Sequence, residues 1–435
     1  MIKYQTGKNL TYLRQFNQGL VLKNLLIHGP SSRHALSVSL GLTKMTITNI
    51  VNDLLDRNIV IEVDCEVPSG ASRKAGCISL NPGVLYGIGV HVYRDSVCCS
   101  IVDIAGNLLE RRETVLNAKT TRQTLTAAIK AHIGQFLQQY SDKLIIGIGV
   151  ASIGLVDSKR GVVISTTNFY DIADWNIGEE LSSAFSLPVY VINDMKAAAL
   201  AEHYYGAERS FCSFIYMGIS TGIGAGIILN GELFEGGSGY NGSIGHVSIN
   251  RDGPLCPCGN RGCLELYTSV PNVLRNSHCR TWSEFLQLFD AVELSPVAEQ
   301  FLTDLSVALT SLTNIFNPEA IFIGHEGAQL NDYCFEKLRI AVNTSSLIRN
   351  VRKVEIMPSS LNGRIGYLNA IAAIIFPPAL RRDTASPMTR RTSRPERSVL
   401  CLRSRSWSNR YPARATCTAG TDFYTDVMSR RQTAI

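Results

Sequence analysis

The chain has no apolar run of about eighteen residues, the length a helix needs to cross a bilayer. Its first residues, MIKYQTGKNLTYLRQF, lack the apolar stretch of a secretory signal. Both absences point to a cytoplasmic protein with no membrane partner, in a compartment where thiols stay reduced. The twelve cysteines are therefore not expected to form disulfides. Lysine is missing from Arg381 onward, where twelve arginines stand against four acids, a net of +8. The preceding 380 residues hold 30 basic and 32 acidic side chains, a net of −2. The overall charge of +6 thus belongs to the tail, and it excludes a generally basic body. Any DNA binding has to come from a local element. The tail, residues 381–435, has no apolar periodicity and reads as disordered rather than as a basic nucleic-acid arm. Its abrupt change of composition also suggests out-of-frame or recombined sequence.

At 435 residues the chain suits two or three domains. Residues 1–80 read as a winged helix-turn-helix. NQGLVLKNLLIHG has apolar residues at helical spacing and is stopped by Gly29-Pro30. SSRHALSVSLGL is a second, short helix ending near Gly41. TKMTITNIVNDLLDRNIV opens on Thr43 as an N-cap and places Ile47, Ile50, Val51 and Leu54 on one face. Lys44, Thr46, Thr48 and Asn49 lie on the other face. Small polar side chains with a lysine suit base edges and phosphates, so Thr43, Lys44, Thr46, Thr48 and Asn49 are the candidate contacts to operator DNA. The alternative is a plain helical bundle with a polar face. Two short alternating runs, IVIEVDC and RKAGCISLNP, joined by EVPSGAS, read as a β-wing.

From residue 84 the pattern becomes α/β. LYGIGVHVYRDSVCCSIVDIAGNLLE reads as two strands and a turn, and LTAAIKAHIGQFLQQY as an amphipathic helix. LPVYVINDMKAAALAEHYYG is a strand running into a helix, with Asn193 and Asp194 at the junction. SFIYMGISTGIGAGIILNGELF is a pair of strands around a Gly-rich turn, and NAIAAIIFP closes the region. Strands in hairpins and crossovers, in two halves, predict a two-lobed α/β body with a cleft over residues 84–380.

CPCGNRGCLELY places Cys256, Cys258 and Cys263 within eight positions, and His246 lies ten residues upstream. Three thiolates and one imidazole make a tetrahedral zinc set, structural because four protein ligands close the shell. Gly259 and Gly262 let the backbone fold tightly enough for the ligands to converge. Spacing of the type C-x-C is not the usual redox pattern, and Asn260, Arg261 and the glycines make this a poor core segment.

The stretch GHVSINRDGPLCPCGNRGCLELY resembles the signature of the ROK family of repressors, open reading frames and kinases. LTKMTITNIVNDL, with LNP at its exit, resembles the winged helix of the family's repressors. Together the two resemblances cover about residues 10–380. They imply an actin-like, sugar-kinase fold with sugar held between two lobes. By position, Asn193 and Asp194 match the family's Asn-Asp pair, and Asp194 would be the general base if the chain were a kinase. His246 is similar to the histidine that faces both zinc and sugar, and Glu265 matches a sugar-binding glutamate. Ser243 stands where a glutamate is expected.

The family's kinases usually carry Gly-x-Asp-x-Gly-Gly-Thr on the first hairpin. The matching residues here run from Gly87 to Tyr93, with His91, Val92 and Tyr93 in place of the two close-approach glycines and the threonine. Gly324-His325 stands in place of a nucleotide-side Gly-Gly. The reading is a non-catalytic sugar-responsive repressor with structural zinc, binding operator DNA as a homodimer or homotetramer and answering to a sugar or sugar phosphate. The alternatives are a sugar kinase acting on a hexose or N-acetylhexosamine with ATP, and a DNA-binding scaffold held by another protein.

Overall fold

The computed structural model describes residues 10–64, 76–165, 170, 172–290, 294–361 and 363–368. The wing linker EVPSGAS, the closing segment NAIAAIIFP and the tail lie outside them. The described residues belong to one compact unit.

Helix α1 (Leu10–His28) ends where Gly29 takes φ 75°, a conformation open to glycine and followed by Pro30. Helix α2 (Arg33–Leu40) starts on Ser32, whose side chain accepts from the Ala35 amide, and ends on left-handed Gly41. Helix α3 (Lys44–Asp56) starts on Thr43, which accepts from the Thr46 amide. Ile47, Ile50, Val51 and Leu54 are buried, as their spacing predicts. Arg14 and Gln18 of α1 both donate to Asp53, at 2.6 and 2.7 Å, and fix α1 across α3. Strands β1 (Ser31–Ser32), β2 (Val60–Asp64) and β3 (Gly76–Leu80) form an antiparallel wing in the order β1-β3-β2. Cys77 on β3 is disulfide-bonded, so the expectation of reduced thiols fails there. Eight other cysteines, including all three of the CPCGNRGC stretch, are free.

The body contains two five-stranded sheets. The first comprises β4 (Leu85–Val92), β5 (Ser96–Asp103), β6 (Leu108–Val115), β7 (Leu144–Ser152) and β11 (Val189–Asn193), in the order β11-β7-β4-β5-β6. The sequence predicts two strands before the first helix of the body, α4 (Arg122–Gln139). The third, β6, is half solvated and carries four consecutive charged residues, Glu110 to Glu113, which hides its strand character. A small three-stranded sheet, β8 (Leu155–Asp157), β9 (Val162–Ser165) and β10 (Ala173–Trp175), leads through α5 (Ile177–Phe185) to β11.

Helix α6 (Asp194–Tyr205) then crosses to the second sheet. That sheet comprises β12 (Phe214–Ile219), β13 (Ile223–Leu229), β14 (Glu232–Leu233), β15 (Ala320–His325) and β16 (Glu355–Pro358), in the order β14-β13-β12-β15-β16. Short helices α7 (Glu265–Thr268), α8 (Val270–Ser277) and α9 (Trp282–Gln287) precede the long α10 (Pro296–Phe316), and α11 (Asp332–Ser345) links the last two strands. In each sheet an antiparallel meander leads into two parallel strands, so both lobes have the same wiring. This is a doubled α/β plan preceded by a winged helix, as the resemblance implies. Val21, Leu25 and Leu26 of α1 share one buried core with Tyr204, Phe214 and Phe322 of the body. Among the described residues, no helix is long and apolar enough to cross a membrane.

Candidate functional site

Residues from four distant stretches meet around the head of β13. Asn193 and Asp194 sit where parallel β11 ends and α6 begins, the usual place for ligand groups in such sheets. The Asn193 side-chain oxygen caps α6, accepting from the amides of Met195 at 3.1 Å and Lys196 at 3.3 Å. Its nitrogen donates to the Gly154 carbonyl at 3.1 Å and to Asp194 Oδ1 at 2.9 Å. Asp194 is only 6% exposed. Burial pushes its carboxyl up to about 7, although the Met195 amide, Asn193 and nearby Arg94 all favour the charged form.

The next residue, Met195, lies against Gly224 of β13. On the other side of that strand the Gly242 carbonyl accepts from the Ala225 amide at 2.8 Å, and Gly245 abuts the Ile223 carbonyl. Glu265 Oε2 accepts from the Ile223 amide at 2.9 Å and lies beside Gly222 and Gly245. Exposed Ser243 and His246 flank Gly245 on the same loop. The fold therefore gathers Asn193, Asp194, Ser243, His246 and Glu265 around one strand end. Sequence reasoning missed Arg94, whose Nε donates to Thr221 Oγ1 at 3.4 Å across the two leading hairpins. Its only signal was its position directly after Tyr93.

The loop behind Glu265 holds the cysteine cluster. The side-chain donor atoms of His246, Cys256, Cys258 and Cys263 all lie within 4.8 Å of one another. Cys258 Sγ is 3.7 Å from Cys263 Sγ, and Cys256 Sγ is 3.7 Å from His246 Nδ1. Metal–sulfur bonds of about 2.3 Å in a tetrahedron set sulfurs about 3.8 Å apart, so the donor set fits one tetrahedral ion. The pair Ser248 and Cys263, and the pair Leu255 and Arg261, form isolated bridges that fold the loop on itself. Gly262 packs directly on the Asn250 backbone at φ 62°, leaving no room for a side chain.

The first hairpin of the body is filled. His91 is fully buried and stacks on Tyr93, with ring centroids 3.8 Å apart and planes inclined by 15°. Burial pushes the His91 imidazole down to about 3, with the charges of His325 and Arg111 adding to the shift. The Tyr93 hydroxyl lies against Gly366, where a methyl group would collide with it. His325 keeps a glycine-like backbone at φ 57° and contacts the Tyr216 hydroxyl through Nδ1 at 3.1 Å. The ring is buried, which pushes it down to about 4.

On α3, Lys44 and Asn49 are exposed, whereas Thr46 and Thr48 are only partly so. Thr46 Oγ1 pairs with Thr43 Oγ1 at 2.9 Å, and Thr48 Oγ1 donates to the Lys44 carbonyl at 2.8 Å. Lys44 and Asn49 therefore present the more available polar heads. Met45 is 71% exposed on the same helix, an apolar group the sequence reading passed over.

Comparison with known proteins gives a consistent picture. A profile of the ROK family matches residues 87–374. A xylose repressor of Bacillus spizizenii is 30% identical over 375 residues, covering 84% of this chain and 96% of its own length. A crystal structure of a ROK family transcriptional regulator, a homologue of the Escherichia coli MLC protein, superposes with a TM-score of 0.69 at 26% identity. That match covers 84% of this chain and 96% of the other. The ROK hexokinase of Thermus thermophilus has a TM-score of 0.57 at 26% identity, covering 67% of this chain and 97% of its own.

Proposed function

Because the chain belongs to the ROK family and carries a winged helix ahead of the family body, we propose that it is a sugar-responsive transcriptional repressor. The winged helix binds operator DNA through α3, with Lys44 and Asn49 as principal contacts and Thr43, Thr46 and Thr48 setting their geometry. The two half-sites of an operator read by such proteins lie about one helical turn apart, which calls for a homodimer or homotetramer. A sugar or sugar phosphate lies over the head of β13, where Asn193, Asp194, Ser243, His246 and Glu265 offer paired hydrogen bonds to vicinal hydroxyls. His246, Cys256, Cys258 and Cys263 hold zinc, whose role is to fix the loop that presents Ser243, His246 and Glu265.

The observation that carries the non-catalytic reading is the stacked His91–Tyr93 pair in the first hairpin. Phosphate turns work by letting backbone amides approach oxygen closely, and side chains as large as His91 and Tyr93 at the matching positions disfavour such an approach. The xylose-repressor relative makes D-xylose the first sugar to test. Fluorescence anisotropy on a duplex selected by the protein should show D-xylose weakening binding at least tenfold, and no sugar should support ATP turnover. The reading fails if the purified protein binds no duplex selectively.

The second reading is a sugar kinase, and one observation favours it: Asp194, held near 7, suits a general base. Sugar-dependent ATP turnover at roughly 1–100 per second would establish that reading instead.

A further inference from the structure

Helix α6 joins two places that are far apart in the sequence. Asn193 caps its start and Asp194 opens its first turn. Its last turn lies against α1, the first helix of the DNA-binding module: Val21, Leu25 and Leu26 of α1 share a buried core with Leu200, Ala201, Tyr204 and Tyr205 of α6. Arg209 closes the joint. Its Nη1 donates to the Leu26 carbonyl at 2.7 Å, and its Nε donates to the Gly206 carbonyl, the C-cap of α6, at 3.0 Å. One guanidinium thus clamps the end of α6 to the last turn of α1.

The helix between these ends has little slack. Its 12 residues span about 18 Å. Gly226 of β13 faces its backbone so closely that a methyl group would fall under 3.0 Å from the Met195 carbonyl and the Ala199 side chain. At the far end buried Glu202 accepts from Ser359 Oγ at 2.5 Å and Ser360 Oγ at 3.0 Å. A close-packed rod shifts as a unit rather than deforming along its length.

We propose that α6 is the mechanical link from the sugar site to the winged helix, with Arg209 as the positioning residue that transmits its movement to α1. The proposal rests on the sugar-sensing reading above for its physiological input. A ligand engaging Asn193 and Asp194 bears on the first turn of α6, and the same displacement reaches α1 through the Arg209 clamp. The orientation of α3 follows, because Arg14 and Gln18 tie α1 to Asp53. Ligand and DNA then favour different α6 positions, which is the differential affinity that coupling requires.

The test uses the full chain and needs no sugar. Gly226→Ala is a wedge under α6, remote from the DNA face. It should change the Kd for the selected duplex at least tenfold in the Arg209 protein and less than threefold in the Arg209→Ala background. An equal change in both backgrounds, or no change in either, overturns the link. If Gly226→Ala loses its cooperative melt, Gly224→Ala replaces it, because its added carbon collides with the flexible Met195 side chain and makes only an ordinary contact with backbone, at the Gly242 carbonyl. A second arm adds D-xylose. If D-xylose leaves the wild-type duplex affinity unchanged while the wedge is still gated by Arg209, the choice of sugar fails and the link stands. If D-xylose binds Arg209→Ala as it binds wild type and still releases DNA to the full extent, the link fails and the sensing reading stands.

Discussion

The two lobes of the body share one wiring, yet their leading hairpins have gone different ways. In the first, β4–β5, the positions that resemble a phosphate turn hold stacked His91 and Tyr93. In the second, β12–β13, the glycines remain. The second hairpin alone looks like a surviving nucleotide loop, but the packing gives these glycines another use. A methyl group at Gly218 or Gly224 would collide with the Met195 side chain, and one at Gly226 with the α6 backbone. The glycines are required because a helix lies on the strand, and their presence says nothing about ATP. A Gly-rich turn is informative only when what approaches it is known.

The comparison can be broken most severely at the loop beside the second hairpin. Cys263→Ser, or chelation, should release zinc and unfold the loop that carries Glu265. Structural zinc in small domains is worth on the order of 10 kcal/mol, so the thermal midpoint should fall sharply. Elemental analysis finding no zinc in freshly purified, folded protein would refute the assignment.

Next in size is the attempt to turn the first hairpin back into the second. The triple change His91→Gly, Val92→Gly and Tyr93→Thr removes buried volume and should cost about 3–5 kcal/mol in denaturant melts. It should gain no ATP turnover, since Gly89 still stands where the kinase pattern Gly-x-Asp-x-Gly-Gly-Thr has its aspartate. A stable triple variant that phosphorylates a sugar would show that aromatic filling alone silenced the site.

Asn49→Ala on α3 should weaken the selected duplex by about 1–3 kcal/mol without altering the sugar site. A gel-shift titration against scrambled duplex checks that the loss is one of sequence preference.

The smallest effect concerns Asp194, whose carboxyl is held near 7 by burial. Sugar hydroxyls donate to the ionised form, so calorimetry should find affinity rising with pH, up to tenfold per unit below pH 7, and levelling above it. The sign for stability is opposite. The raised value means that the folded state favours the proton, so this contribution is present below pH 4 and lost as pH rises through 7. Asp194→Asn should flatten both curves.

The sequence by itself determined the parts built from neighbouring residues. The α3 face of Ile47, Ile50, Val51 and Leu54 follows from helical period, and its start from Thr43. The gathering of His246, Cys256, Cys258 and Cys263 was legible because the three cysteines span eight positions and the turn glycines lie between them. Asn193 and Asp194 were found at a strand-to-helix junction, but that signal depended on resemblance, since any helix can open on Asn-Asp. What tertiary structure alone decided is long-range. Charged β6 became a strand through pairing with β5. Arg94 entered the site by reaching Thr221, 127 positions away. Arg209 met the Leu26 carbonyl across 183 positions, and no local pattern encodes that partner. Periodicity, caps and ligand spacing act within a few residues, whereas burial and long-range hydrogen bonding are settled only when distant elements share one core.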